Sequence, residues 1–271
     1  MSAGCWIIRR KDSMSPRATP SANGSRDCAC SADGLRSRSP LHAEDIAPPE
    51  RLRDIDRSQL SHTYVQGAFN PEFEPPAAGT YALPVIKTVT DHPLVAGDGE
   101  KTSLFAVKKD RIAVVAFIYT TCAEVTGCPL SQSVMQRVDR ALAEDAALGR
   151  DVVLISVSFD PQRDTPERLR TVRSFYDPKT DWSFVTTKDE AELQPLLGDF
   201  GQAIDKLRFE DGKWSGLFRH VLKVFLLDRT NRVRNIYSVG LLSPQLVLND
   251  ARTLSMEGGG ALVPPPYQGG G

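Results

Sequence analysis

Ile112-Ala113-Val114-Val115-Ala116-Phe117-Ile118-Tyr119-Thr120-Thr121-Cys122-Ala123-Glu124-Val125-Thr126-Gly127-Cys128-Pro129 is the stretch on which the fold turns. The run from Ile112 to Tyr119 is continuously apolar and rich in β-branched and aromatic residues. Such a run predicts a strand buried on both faces. After Pro129, a favoured first helical residue, the apolar positions Leu130, Val134, Val138, Ala141 and Leu142 step by three and four. That spacing predicts one helix to Leu148, with Gly149 as its C′ residue. Two thiols therefore stand where a central strand ends and a helix begins, the edge of an open α/β sheet at which sites are built. Cys128 is expected as the N-cap, beside unpaired N–H groups and the positive end of the helix dipole, which favours thiolate. Gly127 lets the loop fold back, so that Cys122 can come within disulfide reach of Cys128.

Working outward, Val152–Phe159 (VVLISVSF) predicts a second buried strand, and Thr165-Pro166 caps a helix to about Phe175. Trp182–Val185 is a short third strand, and Thr187 with Glu190 forms a capping box for a helix through Phe200. Val221–Leu227 and Val233–Ser238 read as strands joined by a short antiparallel turn. Ser243-Pro244 caps a last helix to about Leu254, and Leu83–Val89 and Leu94-Val95 suggest short opening strands. Early strand–helix alternation implies right-handed crossovers and a parallel start to the sheet. The closing hairpin adds an antiparallel edge, and helices cover both faces. The expected class is α/β, a thioredoxin-like fold with a central mixed sheet and inserted material between Phe200 and Phe218.

The chain has 271 residues, 41% apolar and 25% charged, with a formal charge of −1. This balance excludes a bulk electrostatic attraction to nucleic acid or anionic membrane. No stretch approaches the ~20 apolar residues of a membrane span. Five cysteines are too few for a disulfide scaffold of this length. Residues 1–59 are poor in large apolar side chains and read as disordered or as a leader; 60–80 read as an extended linker, 81–256 as the folded domain, and 257–271 as a disordered Gly/Pro-rich tail. Cys5 closes a lipoprotein-like Ser2-Ala3-Gly4-Cys5, but no apolar stretch precedes it, so the chain is expected to stay in the cytoplasm or to begin late. Cys28 and Cys30 form a C-x-C pair with no nearby His and read as incidental.

His220 stands just before the strand beginning at Val221. In a thioredoxin-type domain that position faces the cysteine loop across the crevice. Two thiolates and one imidazole converging there suit Cu(I) and Zn(II), and a low-coordinate set favours copper over a four-ligand structural zinc. Asp160-Pro161-Gln162-Arg163-Asp164-Thr165-Pro166 closes the second strand on the same sheet edge. A turn and helix cap account for Asp164, Thr165 and Pro166. Asp160 and Arg163 are left to pair with each other and shape the loop, or to stand behind the cysteine site.

The run FIYTTCAEVTGCPL, then SFDPQRDTP, then a His before VFLLD resembles the Sco/SenC family over about Tyr81 to Leu254. The resemblance implies a thioredoxin fold, a copper ion held by Cys122, Cys128 and His220, and a redox-active Cys122–Cys128 disulfide. It implies copper delivery, or thiol reduction, at a cytochrome c oxidase copper site. The implied partner is that copper subunit or another copper chaperone, and the implied place extracytoplasmic. Two departures stand out: five residues separate the cysteines where the family has three, and no anchor is visible. A thiol–disulfide oxidoreductase is the main alternative, though the cis-proline that generic thioredoxins place before the facing strand has no counterpart between Gly201 and Asp228. A thiol peroxidase and a redox-inactive interaction module complete the alternatives.

Overall fold

The computed structural model describes residues 73–258. The leader, most of the linker, Cys5, Cys28, Cys30 and residues 259–271 lie outside the described residues.

Strands β1 (Lys87–Thr88), β2 (Pro93–Ala96) and β3 (Lys101–Ser103) precede a one-turn helix α1 (Leu104–Lys108). Then come β4 (Ile112–Ile118), α2 (Cys128–Glu144), α3 (Ala146–Asp151), β5 (Val152–Ser158), α4 (Pro166–Tyr176), β6 (Trp182–Thr186) and α5 (Glu190–Phe200). The chain closes with β7 (Ile204–Arg208), β8 (Trp214–His220), β9 (Val224–Leu227), β10 (Arg232–Tyr237) and α6 (Pro244–Gly258). Eight strands form one sheet in the order β1-β10-β9-β4-β5-β6-β2-β3. Within it β4, β5 and β6 run parallel, while β9 pairs antiparallel with β4 and with β10. This is the expected mixed sheet with a parallel start and a closing hairpin, although β1, not the hairpin, takes the outer position. Every residue of β4 and β5 is buried, so both faces of the centre are covered. Both strands are spaced to place their carboxyl ends side by side, Ile118 opposite Ser158.

Four local expectations are corrected. The helix after the cysteines is two helices, because Asp145 ends α2 and its carboxylate caps α3 through the Leu148 N–H. Gly149 is thus inside α3 and not a C′ residue; a Cβ there would lie 2.6 Å from the Leu142 carbonyl oxygen, so the sharp helix–helix approach demands glycine. Asp189, and not Thr187, caps α5, accepting from the Ala191 and Glu192 amides. Cys128 is the first helical residue, with Gly127 in the N-cap place.

One more difference matters most for the site. The inserted material forms a separate antiparallel pair, β7–β8, with no ladder bond to the main sheet among the described residues. His220 is the last residue of β8, and the following strand begins only at Val224. Short strand β3 and helix α1 are further elements that the apolar pattern does not announce. Among the described residues no helix is long and apolar enough to cross a membrane.

Candidate metal centre

Strand β4 delivers the chain to Tyr119, and a turn closed by Cys122 N–H donating to the Tyr119 carbonyl at 3.2 Å sets the first thiol. A second turn, Gly127 N–H to Glu124 carbonyl at 2.9 Å, brings the chain back to α2. A Cβ on Gly127 would lie 3.1 Å from the Glu124 carbonyl oxygen and 3.4 Å from Cys122 Sγ. The missing side chain is what lets Cys122 fold over the helix start. The five-residue interval is taken up in these two turns, so the wide spacing still returns Cys122 to Cys128.

The donor atoms of Cys122, Cys128 and His220 all lie within 4.8 Å of one another. Cys128 Sγ is 3.8 Å from His220 Nε2. Both thiols are free. Cys122 is half-buried at the edge of the centre, and Cys128 is buried beneath it. The three sequence-predicted ligands are therefore brought together.

The electrostatics separate the two thiols. The Cys128 thiol beside it holds Cys122 down to about 3, against the opposing effect of burial and with help from His220 and from the Cys128 and Glu124 amides. Cys128 moves the other way, because a neighbouring thiolate and burial both disfavour a second charge. The pair thus holds one thiolate, placed on the more accessible sulfur. Tyr119, buried and hydrogen bonded to Cys122, is pushed up to about 12, first by burial and then by that bond.

The sequence reading missed two supports. The first is Asp164, which is wholly buried and does more than close a turn. Its carboxylate accepts from the Thr120 amide at 2.9 Å, from the Thr120 hydroxyl, and from Ser158 Oγ at 2.6 Å. It joins the carboxyl ends of β4 and β5 two residues ahead of Cys122. The second is an aromatic floor. Phe159 packs edge-on to the His220 ring at 5.0 Å, and Tyr119 does so at 6.0 Å. Phe218 packs on both, at 5.0 Å from Tyr119 and 5.2 Å from Phe159. Only the apolar run ending in Tyr119 hinted at this floor.

Asp160 and Arg163 form an ion pair, with Asp160 buried. The Arg163 guanidinium lies over the Trp214 ring at 4.3 Å, on the strand that carries His220. No direct bond joins either residue to the cysteines or to His220 among the described contacts.

Above the three donors opens a bowl of about 680 Å³, lined by Cys122, His220, Tyr119 and the cysteine loop. Leu207, Leu217, Val221 and Val239, all exposed, form its apolar side. Chemically the site offers two soft sulfur donors and one imidazole at the foot of an open, mainly apolar mouth. Such a set suits a soft, low-coordinate metal ion, or exchange of a disulfide.

Comparison with known proteins agrees with this architecture. The family model described as SCO1/SenC matches residues 86–255, well over half of the chain. A SCO1 protein homolog of Bacillus subtilis is 29% identical over 116 residues, a match covering 42% of this chain and 57% of that protein. The chain thus spans less than two thirds of that relative's length. The solved structure of Bradyrhizobium japonicum ScoI with copper bound is 24% identical and covers 61% of this chain and 99% of that one, with a TM-score of 0.51. BsSco, described as a member of the Sco family of cytochrome c oxidase assembly proteins and as having a disulfide switch, is 22% identical over 64% of this chain and 97% of its own, with a TM-score of 0.51. At these identities the two structures bear on the fold, which is the expected thioredoxin-like one.

Proposed function

The chain belongs to the SCO1/SenC family, and on that premise we propose that it is a copper carrier acting on the assembly of a respiratory oxidase. Cys122, Cys128 and His220 hold one Cu(I) as cargo. The observation that carries this reading is the convergence of these three donors within 4.8 Å at the foot of an open bowl. Two sulfurs and one nitrogen satisfy a soft ion that tolerates low coordination, and leave a direction open for an incoming ligand. The accessible Cys122 sulfur is the donor that a partner's own thiol can replace first. The chain acts stoichiometrically, without turnover, on an oxidase copper subunit or on another copper chaperone, in an extracytoplasmic compartment. Asp160 and Arg163 stand behind the ligands rather than among them. The copper bound in the Bradyrhizobium japonicum structure and the oxidase-assembly role of the BsSco family lend support.

The test is a titration of the reduced full chain with Cu(I) under anaerobic conditions against a chromophoric chelator. One tightly held copper per chain is expected. Cys122→Ser and Cys128→Ser should each weaken binding at least a hundredfold, and His220→Ala about tenfold, with an unchanged circular dichroism spectrum. A chain that never competes with the chelator would overturn the carrier reading.

One observation favours a second reading, thiol–disulfide exchange: the half-buried, low-pKa Cys122 lies over a buried, protonated Cys128. In that case the Cys122 thiolate attacks a partner disulfide and releases one partner thiolate. Cys128 then loses its proton and attacks Cys122 Sγ in the mixed disulfide. The partner leaves with one thiol, carrying the proton given up by Cys128, and one thiolate that water protonates, and the chain keeps the Cys122–Cys128 disulfide.

A further inference from the structure

Among the described residues no ladder bond ties His220 to the main sheet: it belongs to β8, whose strand partner there is β7. Cys122 lies in the loop that follows β4 and Cys128 opens α2, both inside the main body. Something other than a backbone ladder must fix the imidazole relative to the sulfurs.

A line of side chains runs from the end of β5 to that strand. Asp160, buried, is ion-paired with Arg163, whose amide also donates to the Asp160 carbonyl at 3.1 Å. The guanidinium lies 4.3 Å from the centre of Trp214 and 5.7 Å from that of Phe218, both on β8. Trp214 packs edge-on to Phe218 at 5.3 Å, and Phe218 in turn packs on Tyr119 and Phe159, the two rings that flank His220. The buried Nη2 of Arg163 has no hydrogen-bond partner among the described residues. It is held by the ring and not by an acceptor. Gly216, at φ +84°, leaves room for the approach, since a Cβ there would sit 3.3 Å from Arg163 Nη1. A second cation, Lys206 Nζ from β7, also lies over the Trp214 ring at 4.9 Å, but a planar guanidinium at 163 can pair with Asp160 by its edge while its face lies on the ring, a double contact that a point-like ammonium there cannot reproduce.

We propose that Arg163 is a positioning residue for the metal centre: anchored on Asp160 and stacked on Trp214, it sets where β8 places His220 relative to Cys122 and Cys128. The claim rests on the copper reading for its consequence, but not for its geometry. Removing the stack leaves the cysteines in place and lets the imidazole drift, so affinity falls only through His220.

The experiment is a double-mutant cycle on the full-length reduced chain, with Cu(I) affinity read by chelator competition. Arg163→Met in the wild-type background is expected to raise Kd about fivefold, about 1 kcal/mol and less than the loss on His220→Ala, with an unchanged circular dichroism spectrum. Arg163→Lys should behave like Arg163→Met. In the His220→Ala background Arg163→Met should change Kd less than twofold. An equal loss in both backgrounds, or no loss in either, overturns the proposal. If the wild-type chain takes up no Cu(I), the carrier reading fails by itself, and the clamp is read in the metal-free protein by NMR. There Arg163→Met must shift the ring resonances of His220 and leave those of His92 in place. An unmoved His220 ring overturns the clamp whatever the metal result.

Discussion

Between Cys122 and Cys128 the proton is unevenly shared, and the difference is one of exposure and neighbours, not of residue type. Cys122 keeps the charge because a thiol, an imidazole and two amides face its sulfur. Cys128 keeps the proton because it is buried beside that charge. In the metal-free reduced protein, iodoacetamide at pH 6 should therefore modify Cys122 and spare Cys128, as read by mass spectrometry; equal modification would contradict the assignment. The same asymmetry governs stability against pH. A thiol lowered from 9.0 to about 3 on folding stabilises the fold fully above 9 and loses that contribution as pH falls toward 3. A raised thiol does the opposite and weighs against the fold once pH exceeds the unfolded value. The urea midpoint should thus climb from acid toward pH 9 and drop beyond it. Cys122→Ser should flatten the climb.

At the scale of elements, the centre rests on the junction of β4 and β5 as well as on the start of helix α2. Asp164 ties Thr120 to Ser158 with three accepted hydrogen bonds in a place water does not reach. Asp164→Ala leaves those donors unpaired and should lower unfolding free energy by about 3 kcal/mol, since each stranded buried group costs ~1–3 kcal/mol. Urea denaturation showing a loss below ~1 kcal/mol would mean that the junction holds without it. Asp164 was hidden in the sequence because a turn and a helix cap already explained an aspartate at that place. The strands β4 and β5 were legible because burial on both faces leaves an unbroken apolar run. Helix α4 was legible through Thr165 and Pro166, which do cap and open it. The pair β7–β8 was not legible, because Ile204–Arg208 and Trp214–His220 are only partly buried and carry polar residues on both sides. The break between α2 and α3 was masked by an apolar period that continues across Asp145. For the site, the cysteines announced themselves at a strand end. His220 could be placed only through the fold, just ahead of β9; that it also ends a strand of the inserted pair was not legible.

At the scale of the whole molecule, the three donors lie far apart along the chain, 122 and 128 against 220, with the cysteines at the β4–α2 junction and His220 at the end of β8 in the second sheet. An ion shared among them acts as a rivet between the body and the β7–β8 pair. It closes a long loop that the unfolded chain would otherwise leave open. At free metal a hundred times above Kd the loaded form gains about 2.7 kcal/mol, which for a domain of this size raises Tm by roughly 5–10 °C. Calorimetry with and without Cu(I) measures this, and no shift for a chain that binds copper would deny the rivet. Loading and lifespan then become one variable. On the carrier reading proposed above, the form that has just given up its ion is the one whose β7–β8 pair opens most often and the one a protease finds first, with cuts expected between residues 203 and 221. The population that survives is weighted toward molecules still carrying something to deliver.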